Sequence, residues 1–467
     1  MSTPAMHLPR LVVAAPASGH GKTMVATGLM AALRAAGHEV SPHKVGPDYI
    51  DPGYHELAAG RPGRNLDPHL QGEDLIVPLL LHGASRPRPA DLAVIEGVMG
   101  LFDGATGTAG FSSTAHVARL VQAPVLLVVD CRAAGRSLGA VVHGFSRFED
   151  DVRVAGVVLN NVASARHEAE ARDGIAATGV PVLGALPRLP DLLVPSRHLG
   201  LVPAAERSPA ATAAVAALAD LVRDHVDLDA VLRLARQAPD LAAAPWDPAS
   251  AVGTPVASSS GPPRVAVAGG RAFTFGYAET AELLAAAGAE VVGFDPLRDE
   301  RLPEDVSALV IGGGFPEVHA ADLSLNTSLR EAISDFAAGG GAIAAECAGL
   351  LYLTEELDGA PMCGVLPLTA RMDSRLTLGY RSAVALTGGV LAEEGERVTG
   401  HEFHRTVVAP ATGTVSAPAW GWRGTSGDPV REGAVRGRVH ASYLHTHWAG
   451  HPRMATRLVA AASGGAR

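Results

Sequence analysis

The segment Pro16-Ala17-Ser18-Gly19-His20-Gly21-Lys22-Thr23 constrains the fold of this chain more than any other. It follows a short apolar run, residues 11–15, and precedes residues 24–36, whose apolar side chains recur at helical spacing. Strand, Gly-rich turn and helix, in that order, put the start of the chain in an α/β layer. Gly19 and Gly21 allow backbone N–H groups to face an anion, and the helix that follows offers its positive end. In a loop of this kind Lys22 reaches the β- and γ-phosphates of a nucleotide and Thr23 ligates Mg²⁺. The usual leading glycine is replaced by Pro16, which leaves that physics intact. Ser18, Gly19, His20, Gly21, Lys22 and Thr23 are therefore the candidate ATP-binding residues.

The pattern continues beyond the loop. Further buried-strand candidates are residues 92–95, 125–129, 154–159 and 182–183, separated by helical stretches that include 137–145 and 168–178. Alternating strands and helices predict a parallel sheet covered on both faces, ending near Val202. Ligands of such sheets gather at the C-terminal ends of the strands. There lie Asp48 and Asp51, on a Pro/Gly-restrained loop that holds a metal or a polar substrate, or is a plain turn. Glu96 closes the apolar run Leu92–Ile95 and is a candidate Mg²⁺ partner, with a helix cap or loop ion pair as the alternative. Asp103 sits on the Gly-rich loop after it. Asn160-Asn161 ends another strand, either to read adenine or to make a turn.

Residues 209–243 read as helices, and 245–263, rich in Ala, Ser, Pro and Gly, as a flexible linker. A second strand–helix series then begins. It comprises strands at 265–268, 291–294, 308–311 and 342–345, helices at 277–287 and 329–338, alternating β-like patches over 372–412, and a last strand at 438–444. The expected domains are 1–205, 206–262 as helical connector and linker, and 263–467. In the last domain Cys347 falls between an apolar strand and the helical-looking Leu350-Leu351-Tyr352-Leu353. A strand-to-helix elbow exposes a nucleophile, and a helix N-terminus favours its thiolate. His445 is the candidate base, and Gly312, Gly313 and Gly314 form a candidate oxyanion loop. Cys131 and Cys363 lack the elbow and read as buried structural cysteines. His401/His404 and His445/His447 resemble ligand pairs, but the first lacks the helical spacing of a His-Glu-x-x-His zinc site.

Composition narrows the partners. The chain has 467 residues, 47% of them hydrophobic, enough for two to four cores, and a net charge of −10 with no strongly basic segment, which argues against nucleic acid. Three scattered cysteines make no disulfide framework, and no apolar run is long enough to cross a membrane. A cytoplasmic protein handling small molecules is expected, and a homodimer is compatible with that. A nucleotide loop and a thiol nucleophile in one chain point to an enzyme that activates one substrate with ATP and takes nitrogen from another.

Six segments in order, PASGHGKT, KVGPDYIDP (44–52), VIEGVMGLFDG (94–104), AECAGLLYL (345–353), GHEFHRT (400–406) and ASYLHTHW (441–448), give a closer resemblance. Together they resemble the cobyrinic acid a,c-diamide synthases, including the enzyme acting on metal-free hydrogenobyrinic acid. The resemblance covers nearly the whole chain, and KVGPDYIDP and GHEFHRT are its most specific parts. It implies an α/β fold with an N-terminal P-loop, dethiobiotin-synthetase-like parallel sheet domain and a C-terminal class I glutamine amidotransferase domain. It also implies that Lys22, Thr23, Asp48, Asp51 and Glu96 serve ATP and Mg²⁺. Tyr49, Ile50 and Asp103 would position the corrinoid, Cys347 would attack glutamine, and His445 would be its base. Two departures stand out. Ala345 replaces a glycine found in many glutaminases, and His447 stands where many carry a Glu two residues past the base, leaving the group that orients His445 unassigned.

The implied reaction has two stages. Cys347 releases ammonia from glutamine, while an acetate side chain of the corrin attacks the γ-phosphate of MgATP. Ammonia, reaching the second site by a shielded path, displaces phosphate from the acyl phosphate, first at one and then at the other of side chains a and c. The metal-free substrate is favoured slightly over the cobalt form. The rival readings are a cobyric acid synthase, against which the GPDYIDP segment argues, and a partitioning-type P-loop switch ATPase, which needs no glutaminase half.

Overall fold

In the computed structural model the described residues are 5–188, 208–256, 261–411, 416–424 and 426–464, with the backbone of the pairs 196–197 and 200–201. The chain divides into two compact units, Met1–Trp246 and Asp247–Arg467.

The first unit is built on seven strands: β1 (Arg10–Ala14), β2 (Val40–Val45), β3 (Arg64–Leu66), β4 (Leu92–Glu96), β5 (Val125–Asp130), β6 (Val154–Val162) and β7 (Val182–Pro187). They form one sheet in the order β3-β2-β4-β1-β5-β6-β7, every pairing parallel. The central strands are buried along their whole length, which is why they read as continuous apolar runs rather than alternations. All C-terminal ends lie along one edge. Register places Glu96 beside Val13 on one side and beside Lys44 on the other, so the ends of β1, β2 and β4 share a single spot. A short ribbon, β8 (Ser196–Arg197) with β9 (Gly200–Leu201), follows.

The segment expected as a connector is divided between the units. Helix Ser208–His225 packs on helix Lys22–Ala35, where a methyl at Gly28 would lie 2.5 Å from Val222 Cγ2 and 2.8 Å from Leu218 O. The fully buried Arg10 guanidinium donates to Leu8 O (2.8 Å) and Pro239 O (2.7 Å), and Leu241 bridges Met6. Residues 208–246 thus complete the core of the first unit. Of the expected linker, 248–252 form a helix and 257–260 lie outside the described residues.

The second unit carries two sheets. The first joins β10 (Arg264–Ala268), β11 (Glu290–Phe294), β12 (Val306–Ile311), β13 (Ala342–Glu346), β20 (Ala434–Arg436) and β21 (Val439–Ser442) in the order β11-β10-β12-β13-β21-β20. Only the edge strand β20 runs antiparallel. The other sheet contains β14 (Glu356–Leu357), β15 (Ala360–Pro361), β16 (Leu368–Ala385), β17 (Arg397–Pro410), β18 (Trp420–Arg423), β19 (Pro429–Glu432) and β22 (His445–Thr446). The β-like patches of the sequence become β16 and β17, a long antiparallel pair with a register shift between Met372 and Thr377. The expected last strand, 438–444, breaks after Ser442. β21 stays in the first sheet, while β22 joins the second through His401↔His445.

Candidate functional site

The nucleotide loop is shaped by two left-handed glycines, Gly19 (φ 83°) and Gly21 (φ 95°), the latter at the N-cap of helix Lys22–Ala35. Asn160 braces it. Its buried amide donates to His20 O (2.9 Å), and a methyl at Gly21 would meet that nitrogen at 2.3 Å. The Asn160 side chain is therefore committed to the loop backbone. Lys22 is buried and donates to Met99 O and Ala17 O. Burial and the neighbouring Lys44 hold its ammonium down to about 8.

Beside the loop is a buried polar cluster. Thr23 Oγ1 donates to Glu96 Oε1 at 2.6 Å and lies 3.3 Å from Asp51 Oδ2. Lys44 Nζ stands between the two carboxylates, 2.7 Å from Asp51 and 3.0 Å from Glu96. His55 Nε2 is 2.6 Å from Glu96 Oε2, and neither side chain is exposed. Against the cost of burial, Lys44, His55 and Thr23 keep the Glu96 carboxyl well below its ordinary value. Burial, Asp48 and Glu96 make Asp51 the harder of the two to ionise. Lys44 stays protonated because these carboxylates outweigh its own desolvation.

The remaining sequence candidates fall around this cluster. Asp48 Oδ1 accepts from the N–H groups of Ile50 (2.7 Å) and Asp51 (3.1 Å), the first two residues of helix Ile50–Ala59. Tyr49 is partly exposed, whereas the Ile50 side chain is buried. Asp103 accepts from Gly100 N (3.0 Å) in a turn held against the nucleotide loop, where Leu101 N donates to Ala15 O. Lys44 and His55 were not singled out by sequence. The available signal was spacing, since Asp51 and His55 are four apart on one helix face.

In the second unit Cys347 occupies the turn between β13 and helix Ala348–Leu353, with φ 51° and ψ −102°. This is left-handed backbone for a residue with a side chain. Its N–H donates to Ser442 O (2.7 Å), and Gly349 N donates to Gly312 O (3.0 Å). A methyl at Gly349 would lie 2.1 Å from Ile311 O, so only glycine fits there. The backbone N–H groups of Gly314 and Ala348 both point at the Cys347 sulfur. Within the expected oxyanion loop, Gly313 N is taken by Phe275 O (3.2 Å) and Gly312 O by Gly349, so Gly314 is the donor facing the thiol.

His445 lies against the same loop, with its Cε1 2.6 Å from where a methyl at Gly313 would be. Its ring stacks on His401 at 4.9 Å, and His404 stacks on Tyr443 at 3.7 Å. Burial, then His404, lowers His445 to about 3, and burial pushes the Cys347 thiol up to about 12. At rest the thiol and the imidazole, both set against the glycine loop 312–314, are neutral. His447 is 3.6 Å from the buried Glu279 and packs on Tyr277 at 4.1 Å. Among the described residues no group of three or more His, Cys, Asp or Glu side chains is arranged to hold a metal ion, and no helix is long and apolar enough to cross a membrane.

Comparison with known proteins places both units. Residues 11–202 match the CobQ/CobB/MinD/ParA nucleotide binding domain, and residues 264–453 the CobB/CobQ-like glutamine amidotransferase domain. The chain is 57% identical to a hydrogenobyrinate a,c-diamide synthase of Streptomyces coelicolor over 97% of both chains. It is 58% identical to one of Thermobifida fusca over 98% of both. A cobyrinate a,c-diamide synthase of Syntrophotalea carbinolica is 42% identical, over 97% of this chain and 98% of its own. With both units matched in order and almost the full length aligned, the chain belongs to the family of hydrogenobyrinate and cobyrinate a,c-diamide synthases.

Proposed function

We propose that this chain is a hydrogenobyrinate a,c-diamide synthase, a carbon–nitrogen ligase that amidates two acetate side chains of a metal-free corrin with ATP and glutamine. The observation that carries the reading is the pairing, in one chain, of a phosphate loop beside a Thr23–Asp51–Glu96 cluster with a Cys347 elbow and His445 set against one glycine loop, residues 312–314. Relatives at 56–58% identity bear the hydrogenobyrinate name and those at 37–42% the cobyrinate name, which favours the metal-free ring. We assign ATP-dependent activation to Met1–Trp246 and glutamine hydrolysis to Asp247–Arg467.

In the first unit Lys22 and the loop N–H groups bind the triphosphate and hold its γ-phosphate for in-line attack by a corrin carboxylate. The oxygen donors Thr23, Asp51 and Glu96 suit Mg²⁺, which would neutralise charge on the phosphates. Asp48 sets the start of the helix that carries Asp51, and Asp103 and Tyr49 lie on loops available to the macrocycle. In the second unit His445 takes the thiol proton as Cys347 attacks the glutamine side-chain amide. The N–H groups of Gly314 and Ala348 face the developing oxyanion, ammonia leaves, and water releases glutamate.

The test is product mass with both corrinoids, combined with two variants. Two successive OH-to-NH₂ exchanges should appear on hydrogenobyrinic acid and then stop. Cys347→Ala should lose glutamine-dependent amidation and keep it with ammonium salt. Lys22→Ala should lose synthesis from either nitrogen source and keep glutaminase activity. Amidation that continues to further side chains, or none on either corrinoid, overturns the reading.

A further inference from the structure

Many glutaminases orient the base histidine with a carboxylate two residues beyond it. In this chain that position is His447, which is buried against Glu279 and Tyr277. A carboxylate nevertheless reaches His445 from the other side of the nucleophile. Glu346, the last residue of β13, places Oε2 3.9 Å from His445 Nδ1.

That placement follows from strand register. β13 runs parallel to β21 with Glu346 opposite Ser442, and the chain then turns so that His445 and Thr446 fold back over the end of β13. Thr446 donates to Glu346 Oε1 through its hydroxyl (2.7 Å) and, more weakly, its N–H (3.4 Å), and the Trp448 indole donates to the same carboxyl. Three donors from the segment that carries His445 thus fix the carboxylate, and the oxygen that Thr446 does not hold, Oε2, is the one near the ring. A contact of this length lies outside hydrogen-bond range at rest, as is common for catalytic contacts that tighten only in the substrate complex.

We propose that Glu346 is the positioning residue of the glutaminase, holding the Nδ1 side of His445 so that Nε2 serves the Cys347 thiol. This rests on the assignment of Cys347 and His445 above. It makes adjacent residues, 346 and 347, supply the orienting acid and the nucleophile, with β13 fixing one and the elbow the other. The other titratable groups shown to bear on the base are His401 and His404, while Glu317, Glu346 and Tyr443 bear on the thiol. Burial pushes the Glu346 carboxyl up to about 7, offset in part by its Thr446 and Trp448 donors. The acid therefore has to ionise within the working range before it can steady an imidazolium.

The test uses the full chain with Glu346→Gln and Glu346→Asp, reading glutamate release and ammonium-dependent amidation separately across pH. Glu346→Gln should lower glutaminase kcat by about 10²-fold or more, because the base loses the partner that fixes its tautomer. KM for glutamine and the ammonium-dependent rate should hold. The wild-type rate should rise through pH values near 7, and this limb should vanish in Glu346→Gln and return, with part of the rate, in Glu346→Asp. Glutaminase within a few-fold of wild type, or an unchanged pH limb, overturns the proposal. So does an equal loss of both activities, which would assign Glu346 to the fold. If Cys347→Ala itself retained glutamine-dependent activity, the underlying assignment of the site would fail instead.

Discussion

Gly313→Ala tests the geometry of the glutaminase site at one atom. Gly313 is outside the left-handed region, so alanine meets a problem of space alone. The added methyl would sit 2.6 Å from His445 Cε1 and 3.1 Å from Phe275 Cβ and Cδ2. Carbon atoms settle at about 3.5–4.0 Å, so the contact with His445 falls short by roughly 1 Å. Phe275 blocks retreat of the loop, because Gly313 and Phe275 exchange backbone hydrogen bonds in both directions. The imidazole must move instead. A displacement of about 1 Å costs on the order of 10²-fold in rate, or roughly 2.7 kcal/mol of barrier. Glutamate release by the variant should therefore fall about a hundredfold, while amidation driven by ammonium salt should stay at the wild-type rate. The fold should lose only the ~1–3 kcal/mol typical of overpacking, read as a modest drop in Tm. Glutaminase activity within threefold of wild type would refute the reasoning, and so would an equal loss of ammonium-dependent activity.

Two further outcomes rest on packing and burial. Gly28→Ala, normally a gain of about 1 kcal/mol inside a helix, should instead destabilise the first unit by roughly 1–3 kcal/mol in urea unfolding. The methyl runs into Val222 and the Leu218 carbonyl, and a stabilised variant would show that helix Ser208–His225 does not pack on Gly28. His440 is buried against Trp420 and held neutral, lowered to about 4 by desolvation. Because its folded value lies below its free value of 6.5, the unfolded chain binds the extra proton, and stability falls as pH drops through that window. The loss should reach about 3 kcal/mol and shrink in His440→Phe, measured by urea titrations read on tryptophan fluorescence. An acid limb unchanged by the substitution would remove His440 as its source.

The parts of the molecule legible in sequence are those specified locally. The loop at 16–23, the buried runs of β1, β4 and β5, and the Cys347 elbow each fit within a dozen residues and carry their own periodicity or glycine requirement. Helices within 209–243 were legible as helices, but their destination was not. Nothing in an amphipathic pattern says that its apolar face covers Gly28 rather than serving a connector. The strand at 438–444 read as one because its burial is continuous, whereas the change of sheets after Ser442 is fixed by pairing with His401, more than forty residues earlier. Glu346 was hidden for the same reason. On a strand an acid beside the proposed nucleophile reads as one more alternating position, and only the return of Thr446 over the strand end brings it to His445. Lys44 and His55 are buried polar side chains whose partner, Glu96, lies some forty to fifty residues further along the chain, so their burial could not be read from their neighbours in sequence.

The backbone of Cys347, at φ 51° and ψ −102°, has a consequence for how this chain can evolve. Holding a side-chain-bearing residue in so sparsely populated a region costs about 1–3 kcal/mol. Glycine would adopt the same angles freely. At position 347 the residue that best suits the fold is thus one that can do no chemistry. Under selection for thermal tolerance alone, with ammonia plentiful enough to make glutamine dispensable, the proposed nucleophile would be among the first positions to drift. A descendant could then be sturdier, intact in outline, and dependent on free ammonia.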